Sequence, residues 1–80
     1  MSAKVSVDVF GEVYPLKSEE HDEAYLKQLG AEVDIRMREI ASAGKMVSKQ
    51  KIAVLAALKL ADDYLSLQKQ YDELVSLIKE

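Results

Sequence analysis

A heptad repeat runs through the last thirty residues of this 80-residue chain. No proline or glycine follows residue 44, which predicts one helix beginning near Val47 or Ser48, roughly 45–50 Å long at 1.5 Å per residue. Its apolar residues alternate in steps of four and three, and we call them the seam: Ala53, Ala57, Leu60, Tyr64, Leu67, Tyr71, Leu74 and Ile78. A seam sustained over three heptads predicts a coiled coil. Because so small a domain cannot cover this helix, part of it must either project or meet another chain.

The long helix changes character along its length. A second apolar stripe accompanies the seam in its first half and consists of Ile52, Val54, Leu55, Leu58, Ala61 and Leu65. A helix that is apolar over so wide an arc is buried on several sides. We therefore predict a head, residues 1–61, and a coiled-coil extension, residues 62–80. The predicted oligomer interface is Ala57, Leu60, Tyr64, Leu67, Tyr71, Leu74 and Ile78. The alternative is a long amphipathic helix that folds back on the first helix.

The N-terminal segment predicts a β-hairpin. In "KVSVDVF" the residues Val5, Val7 and Val9 alternate with the rest, as in a strand with one buried face. Gly11 and Glu12 then predict a two-residue type II′ loop, in which Gly11 takes a positive φ. An isolated hairpin is marginal in water, so it must pack on a helix or on another chain.

A first helix is predicted between Ser18 and Gly44, with Ser18 as its N-cap and Gly44 as a left-handed C-terminal cap. Gly30 lies inside it, where glycine costs about 1 kcal/mol relative to alanine. The close approach of another backbone would account for that glycine. The predicted fold class is α+β: an N-terminal β-hairpin, a short helix and a long C-terminal helix that forms a coiled coil in an oligomer.

Composition limits how such a chain is stabilised. There is no cysteine and only one histidine, His21, which excludes disulfides and thiolate-bound metals and argues against a metal or other cofactor. Self-association is the remaining way to stabilise the chain, because small domains rarely bury a large enough core alone. The net charge of −3 argues against nucleic-acid binding. Without a membrane-length apolar run or a signal peptide, we expect a soluble cytoplasmic protein.

No catalytic pattern is visible. Asp62 and Asp63 are adjacent, so on a helix their side chains diverge by about 100°. The three glycines are scattered and form no phosphate loop. Lys45, Lys49 and Lys51 are clustered on an acidic chain. They are either solvated lysines beside a loop or a docking patch for an acidic partner.

Three segments resemble the ZapA family, bacterial cytoplasmic proteins that associate with the division-ring protein FtsZ. They are "VSVDVFGEVYPLK", "VDIRMREI" and "KIAVLAALKLADDYLSLQKQYDEL". Together they resemble the family's opening hairpin, the end of its first helix and the start of its long helix. Some relatives carry a basic residue just after the hairpin glycine, where this chain has Glu12.

The resemblance implies a non-enzymatic protein whose heads dimerise and whose coiled coils can join dimers into a tetramer. It implies binding to FtsZ, bundling of FtsZ filaments and stabilisation of the ring at mid-cell. The candidate FtsZ-binding residues are Glu12, Lys45, Lys49, Gln50 and Lys51. Two other functions stay open: a small coiled-coil adaptor with another cytoplasmic protein partner, and a small-molecule enzyme assembled at a dimer interface.

Overall fold

A two-stranded hairpin and two helices make up the computed structural model, which describes residues 2–44 and 48–78. Strands β1 (Ala3–Val9) and β2 (Glu12–Ser18) precede helices α1 (Glu23–Ala43) and α2 (Lys49–Ile78). The predicted α+β architecture and order of elements are confirmed. Strand β1 packs on α1, and the first part of α2 also packs on α1, close enough to the hairpin for the three elements to share one buried cluster.

The hairpin turns one residue earlier than predicted. β1 and β2 are antiparallel, with Val7 opposite Tyr14 and Val9 opposite Glu12. The loop therefore consists of Phe10 and Gly11, whose φ angles are 51° and 85°. Positive φ at both positions is the pattern of a type I′ turn. The predicted Gly11–Glu12 loop of type II′ is wrong, because a side chain from α1 binds the turn at Phe10.

Both predicted caps of α1 are wrong in detail. Ser18 ends β2, and its Oγ accepts hydrogen bonds from the N–H groups of Glu20 and His21, each at 3.0 Å. Those bonds shape a turn, and the helix begins only after Asp22, whose Oδ1 accepts from the N–H of Tyr25 at 2.9 Å. Gly44 does donate its N–H to the last turn, but its backbone is extended, with φ −90°, and not left-handed.

Helix α2 begins close to the predicted residue. Ser48 precedes it, and its Oγ accepts from the N–H of Lys51 at 3.2 Å, as an N-cap does. The other predicted start, Val47, lies outside the described residues. The helix has 30 residues, which corresponds to about 45 Å.

The core is small and lies where β1 meets the two helices. Its buried cluster consists of Val7, Val9, Met37, Ile52 and Ala56, against which Val5, Phe10, Leu16, Val33, Ile40 and Ala41 pack in part. Leu26 is buried nearby on α1. Only Ile52 and Ala56 are fully buried from α2, so most of the apolar surface of that helix is left open.

Gly30 marks the closest approach between α1 and the hairpin. A Cβ atom built at this position would lie 2.8 Å from the Cβ of Val7, shorter than any ordinary contact. The predicted close approach is therefore confirmed, although the neighbour is a side chain of β1 and not a backbone. Glycine here lets the strand lie directly on the helix.

The single chain is open in shape. Its dimensions are 50 × 42 × 14 Å and its radius of gyration is 16.2 Å, against about 12 Å for a compact domain of this length. Large apolar side chains remain exposed along α2 and on β2, among them Val13, Tyr64, Leu67 and Leu77. A molecule this thin has little interior of its own.

Gly30→Ala tests the contact with Val7. Alanine in a helix ordinarily gains about 1 kcal/mol over glycine, whereas overpacking costs roughly 1–3 kcal/mol. We expect the overpacking to dominate and the free energy of unfolding to fall by about 1 kcal/mol, measured by urea denaturation at fixed protein concentration. Ala31→Gly, at the exposed neighbouring position, is the control. Its free energy of unfolding should fall by a similar amount through the lower helix propensity of glycine alone. A more stable Gly30→Ala protein would contradict the close packing.

Candidate functional site

An apolar groove of about 700 Å³ opens between the hairpin and the two helices. Its apolar lining is Val7, Val9, Tyr14, Leu16, Leu29, Val33, Met37 and Ala53, with Gly30 at its base. Glu12, Lys49 and Gln50 supply the polar part of its lining. The groove exists because α1 covers the β1 side of the hairpin face and leaves the β2 side open. Part of its wall belongs to the seam, since Ala53 is the first seam residue.

The hairpin tip, Phe10 to Glu12, meets α1 at one corner of this groove. The N–H of Phe10 donates to Oδ1 of Asp34 at 2.7 Å, and Nε of Arg38 donates to Oδ2 of the same carboxylate at 2.9 Å. These two bonds hold the pKa of Asp34 below its usual range, the bond from Arg38 contributing most. Asp34 thus binds the backbone of the turn with one oxygen and a neighbouring side chain with the other.

The hairpin tip also meets the start of α2. Nζ of Lys49 lies 3.0 Å from Oε1 of Glu12, and the hydroxyl of Tyr14 donates to the same oxygen at 2.8 Å. The hydrogen bond from Lys49, followed by that from Tyr14, lowers the pKa of the Glu12 carboxyl. Phe10 lies between two cations, with the charged groups of Arg38 and Lys49 each 5.8 Å from its ring centroid, within the range of a cation–π contact.

The structure places the described FtsZ-binding candidates on two surfaces, and Gln50 borders both of them. Glu12, Lys49 and Gln50 lie together on the groove. Lys51 faces a different part of α2, beside Val54 and Leu55, because residues two apart on a helix point about 200° away from each other. Lys45 lies outside the described residues. The predicted lysine cluster is therefore not one continuous patch within the described part of the chain.

The two apolar stripes of α2 face different directions and are mostly uncovered. Every seam residue is exposed except Leu60, which is half-buried. In the second stripe Ile52 is buried against the head, but Leu58 is 61% exposed. We expected Leu58 to belong to the packed head. Within this chain it does not, so any burial of Leu58 has to come from another chain.

A salt bridge fixes α2 to α1 beyond the apolar core. Arg36 of α1 binds the carboxylate of Asp63 on α2 and also lies 3.2 Å from Glu39. Past this point, from residue 64 to 78, every side chain is exposed except that of Val75, which is half-buried. The alternative in which α2 folds back along α1 therefore fails for the part of α2 that follows Asp63, although the part before it does pack on α1. The last fifteen residues described extend beyond the head.

Sequence reasoning missed three residues of α1 that hold the other elements: Asp34 and Arg38 at the hairpin tip, and Arg36 at α2. All three belong to "VDIRMREI", the segment that resembles the family's first helix. The four-residue spacing of Asp34 and Arg38 on α1 was a signal that these two charges share a face, whereas Arg36, two residues from each, points to another side. The partners of Asp34 and Arg36 lie 24 and 27 residues away in the chain, so no local pattern identifies them.

Other chemistry finds no support in the described residues. Among residues 2–44 and 48–78, no three His, Asp or Glu side chains are arranged to hold a metal ion. In the same ranges, neither helix is long and apolar enough to cross a membrane.

A hairpin-and-helix head that continues into a long helix with an exposed heptad seam defines a class of protein, a small module built for association. Residues 5–80 match the family described as Cell division protein ZapA. The chain therefore belongs to the ZapA family of cell-division proteins, as its sequence segments indicated, and this membership supports a role in division.

Relatives and solved structures agree with this membership. The chain is 32% identical to the Cell division protein ZapA of Bacillus subtilis (strain 168) over 77 residues, which are 96% of this chain and 89% of the relative. It is 32% identical to that of Geobacillus sp. (strain WCH70) over 90% of this chain and 82% of the relative. A ZapA mutant dimer from Geobacillus stearothermophilus superposes with a TM-score of 0.77 at 32% identity, covering 96% of this chain and 88% of that one.

A second solved structure, described as an unknown conserved bacterial protein from Pseudomonas aeruginosa PAO1, has the same fold. Its TM-score is 0.76 at 28% identity, with 92% of this chain and 81% of that chain covered.

Acid should release the hairpin tip from α1. Because the pKa of Asp34 is lowered in the folded chain, its contribution to stability is present above the ordinary pKa of aspartate, about 3.9, and is lost as pH falls through the lower folded value. We expect the amide resonance of Phe10 to shift with a midpoint below that ordinary value. Arg38→Gln should move the midpoint upward. An amide of Phe10 that does not respond while Asp34 titrates would contradict the contact.

Proposed function

We propose that this chain is a non-enzymatic cell-division protein that self-associates and binds FtsZ. As an oligomer with several heads it cross-links and bundles FtsZ filaments and stabilises the division ring, at mid-cell in the cytoplasm. The observation that carries this proposal is the exposed seam of α2 beside an open apolar groove, on a chain of the ZapA family.

Self-association is supported by the apolar surface that the single chain leaves uncovered. Leu67, Leu74 and Ile78 are 67%, 59% and 76% exposed, and burying such a side chain contributes roughly 1.5–3 kcal/mol. A second copy supplies the same seam, so the two stripes can bury each other in a coiled coil. The ZapA relative from Geobacillus stearothermophilus is described as a dimer, which agrees with this proposal.

The two stripes of α2 provide for two interfaces. At 100° per residue, the second stripe lies roughly 130° around the helix from the seam, so one partner helix cannot cover both. One interface joins two chains, and the other can join two such dimers into a tetramer. The second stripe ends at Leu65, whereas the seam continues to Ile78, which favours the seam as the interface of the extension beyond the head.

FtsZ binding is proposed for the charged residues at the hairpin tip and the start of α2, on the pattern of the family resemblance. Glu12 and Lys49 are exposed by more than two fifths of their side chains, so both are accessible from outside the single chain. Several weak contacts on one rigid oligomer gain avidity along a polymer. Modest charge contacts are then sufficient for cross-linking.

Leu67→Glu tests the seam. A charge buried in an apolar interface without a partner is unfavourable, so the variant should show a lower oligomer mass by light scattering coupled to size exclusion. The head should stay folded, because Leu67 has no part in its core. Gln68→Glu adds the same charge at the next, exposed position and should leave the mass unchanged.

Ala56→Glu separates the seam from the core of the head. Ala56 is 1% exposed, and a carboxylate placed there should unfold the head, seen as lost helical circular dichroism. Equal effects of Leu67→Glu and Ala56→Glu on folding would show that the head and the extension are not separate units.

Co-sedimentation with FtsZ polymer tests the partner. Lys49→Glu with Lys51→Glu should reduce the amount that pellets without changing the oligomer mass, and Lys69→Glu in the extension is the control. Each exposed charge contact contributes no more than about 1 kcal/mol, and multivalency amplifies the loss. Binding should also weaken as salt rises, since such contacts are screened over about 8 Å at physiological ionic strength.

Reversing the Glu12–Lys49 pair sharpens that experiment. Glu12→Lys combined with Lys49→Glu restores an attraction within the chain but inverts the charges presented outside it. If the pair only holds the hairpin tip, the reversed protein should pellet like the parent. If either charge contacts FtsZ, pelleting should stay low. A parent protein that keeps its oligomer mass but never pellets with FtsZ would instead support the coiled-coil adaptor with another partner.

A further inference from the structure

The turn of the hairpin adopts a backbone that its own sequence does not favour. Phe10 has a φ of 51°, in the left-handed region that bulky residues seldom occupy. Gly11 accepts its φ of 85° without strain. Asp8, a local partner, accepts from the N–H of Gly11 at 3.2 Å, but this bond leaves the conformation of Phe10 unexplained.

The partner of Phe10 lies on α1. Asp34 accepts the N–H of Phe10 at 2.7 Å, and its second oxygen is held by Arg38 at 2.9 Å. The side chain of Asp34 is 23% exposed and lies outside the buried cluster. Its position at the edge of the core, with both oxygens bound, indicates that Asp34 orients the turn more than it stabilises the interior.

The conformation of the hairpin turn determines the position of Glu12. Strands flanking a type I′ turn keep their natural twist, whereas a turn with negative φ would splay them. Glu12 is the first residue after the turn, and its carboxylate contacts Lys49 of α2 at 3.0 Å. A change at Phe10 therefore moves Glu12 relative to Lys49. A continuous set of contacts leads from Asp34 through the turn to the charged residues beside α2.

We propose that Asp34 is the positioning residue of the partner-binding surface. By holding Phe10 in the left-handed conformation against α1, it sets Glu12 opposite Lys49 and so assembles one surface from the hairpin tip and the start of α2. This inference rests on the proposed function for the identity of the partner, but the contact with the turn can be measured without any partner. Asp34 itself need not touch FtsZ.

Three variants test the role of Asp34. Asp34→Ala removes the acceptor. Asp34→Asn keeps an amide oxygen that can accept from Phe10, although the contact with Arg38 is lost. Asp22→Ala is the control, because it removes an N-cap of α1 and weakens the helix at the end remote from the hairpin tip. Amide hydrogen exchange at Phe10, compared with the amide of Met37 in the same sample, reports the turn, and co-sedimentation with FtsZ polymer reports the surface.

In Asp34→Ala we expect exchange at Phe10 to rise and FtsZ binding to weaken, each by about tenfold, as for loss of a hydrogen bond to a charged group. Exchange at Met37 should stay at the parent value. Asp34→Asn should recover most of both losses, and Asp22→Ala should change neither measurement relative to Met37.

Either of two results would overturn the positioning role: unchanged exchange at Phe10 in Asp34→Ala, or fast exchange there with FtsZ binding equal to the parent. Exchange at Phe10 and Met37 that rises by the same factor in Asp34→Ala would indicate a general loss of stability and would also overturn it. A parent protein that does not pellet with FtsZ overturns the proposed function, and the partner role of Asp34 with it. The two kinds of failure are distinguishable, because the failure of the proposed function appears in the parent protein, whereas failure of the positioning role appears only in the variants.

Discussion

Helix α2 is longer than anything the rest of the chain can place against it, and most features of the molecule follow from this mismatch. The head supplies one shorter helix and a hairpin, which together bury only Ile52 and Ala56 of α2 completely. Because the hydrophobic contribution to stability is roughly proportional to the apolar area removed from water, an isolated chain has little stabilisation. The open groove and the uncovered stripes both show that the single chain buries too little apolar area. Another copy of the chain can cover this surface.

In our proposal, assembly and partner recognition share one region of the head. Glu12 and Lys49 line the groove, whose apolar side chains are open to solvent in the single chain. The same two residues are also candidates for FtsZ binding. Whatever fills the groove changes the solvation of this ion pair and thereby its strength. The ion pair is thus sensitive to the oligomeric state, and binding measured on a monomeric variant would not describe the surface of the oligomer.

The parts of the fold that depend on periodicity were predictable from the sequence. The heptad spacing predicted α2, and the alternation around Val7 predicted β1, because both patterns arise from the side-chain period of the element itself. Gly30 was likewise recognised as a contact point. One prediction failed because of a distant partner. The turn at Phe10 depends on Asp34. The start of α1 was missed for a local reason: Ser18 caps a separate turn, so the helix begins only after Asp22.

The candidate site was predicted in part. Glu12 and Lys49 were named in one set of candidates, but their contact within the chain needs the hairpin and α2 to meet, which no local pattern shows. Lys49 and Lys51 were grouped because they are close in sequence, yet the helix turns them to different sides. The groove was not predicted. It is the space between the hairpin, α1 and α2, and the sequence pattern of no single element indicates such a space.

The bond between Phe10 and Asp34 has a consequence for the order in which the chain acquires its structure. A two-residue hairpin loop is usually the most local of motifs and can close within microseconds on the information in its own strands. Here the loop carries a bulky residue in a left-handed conformation, and the group that favours it lies 24 residues further along the chain. We therefore expect the hairpin to reach its final turn only when α1 has formed and docked. An apparently local motif thus has the folding character of a long-range contact.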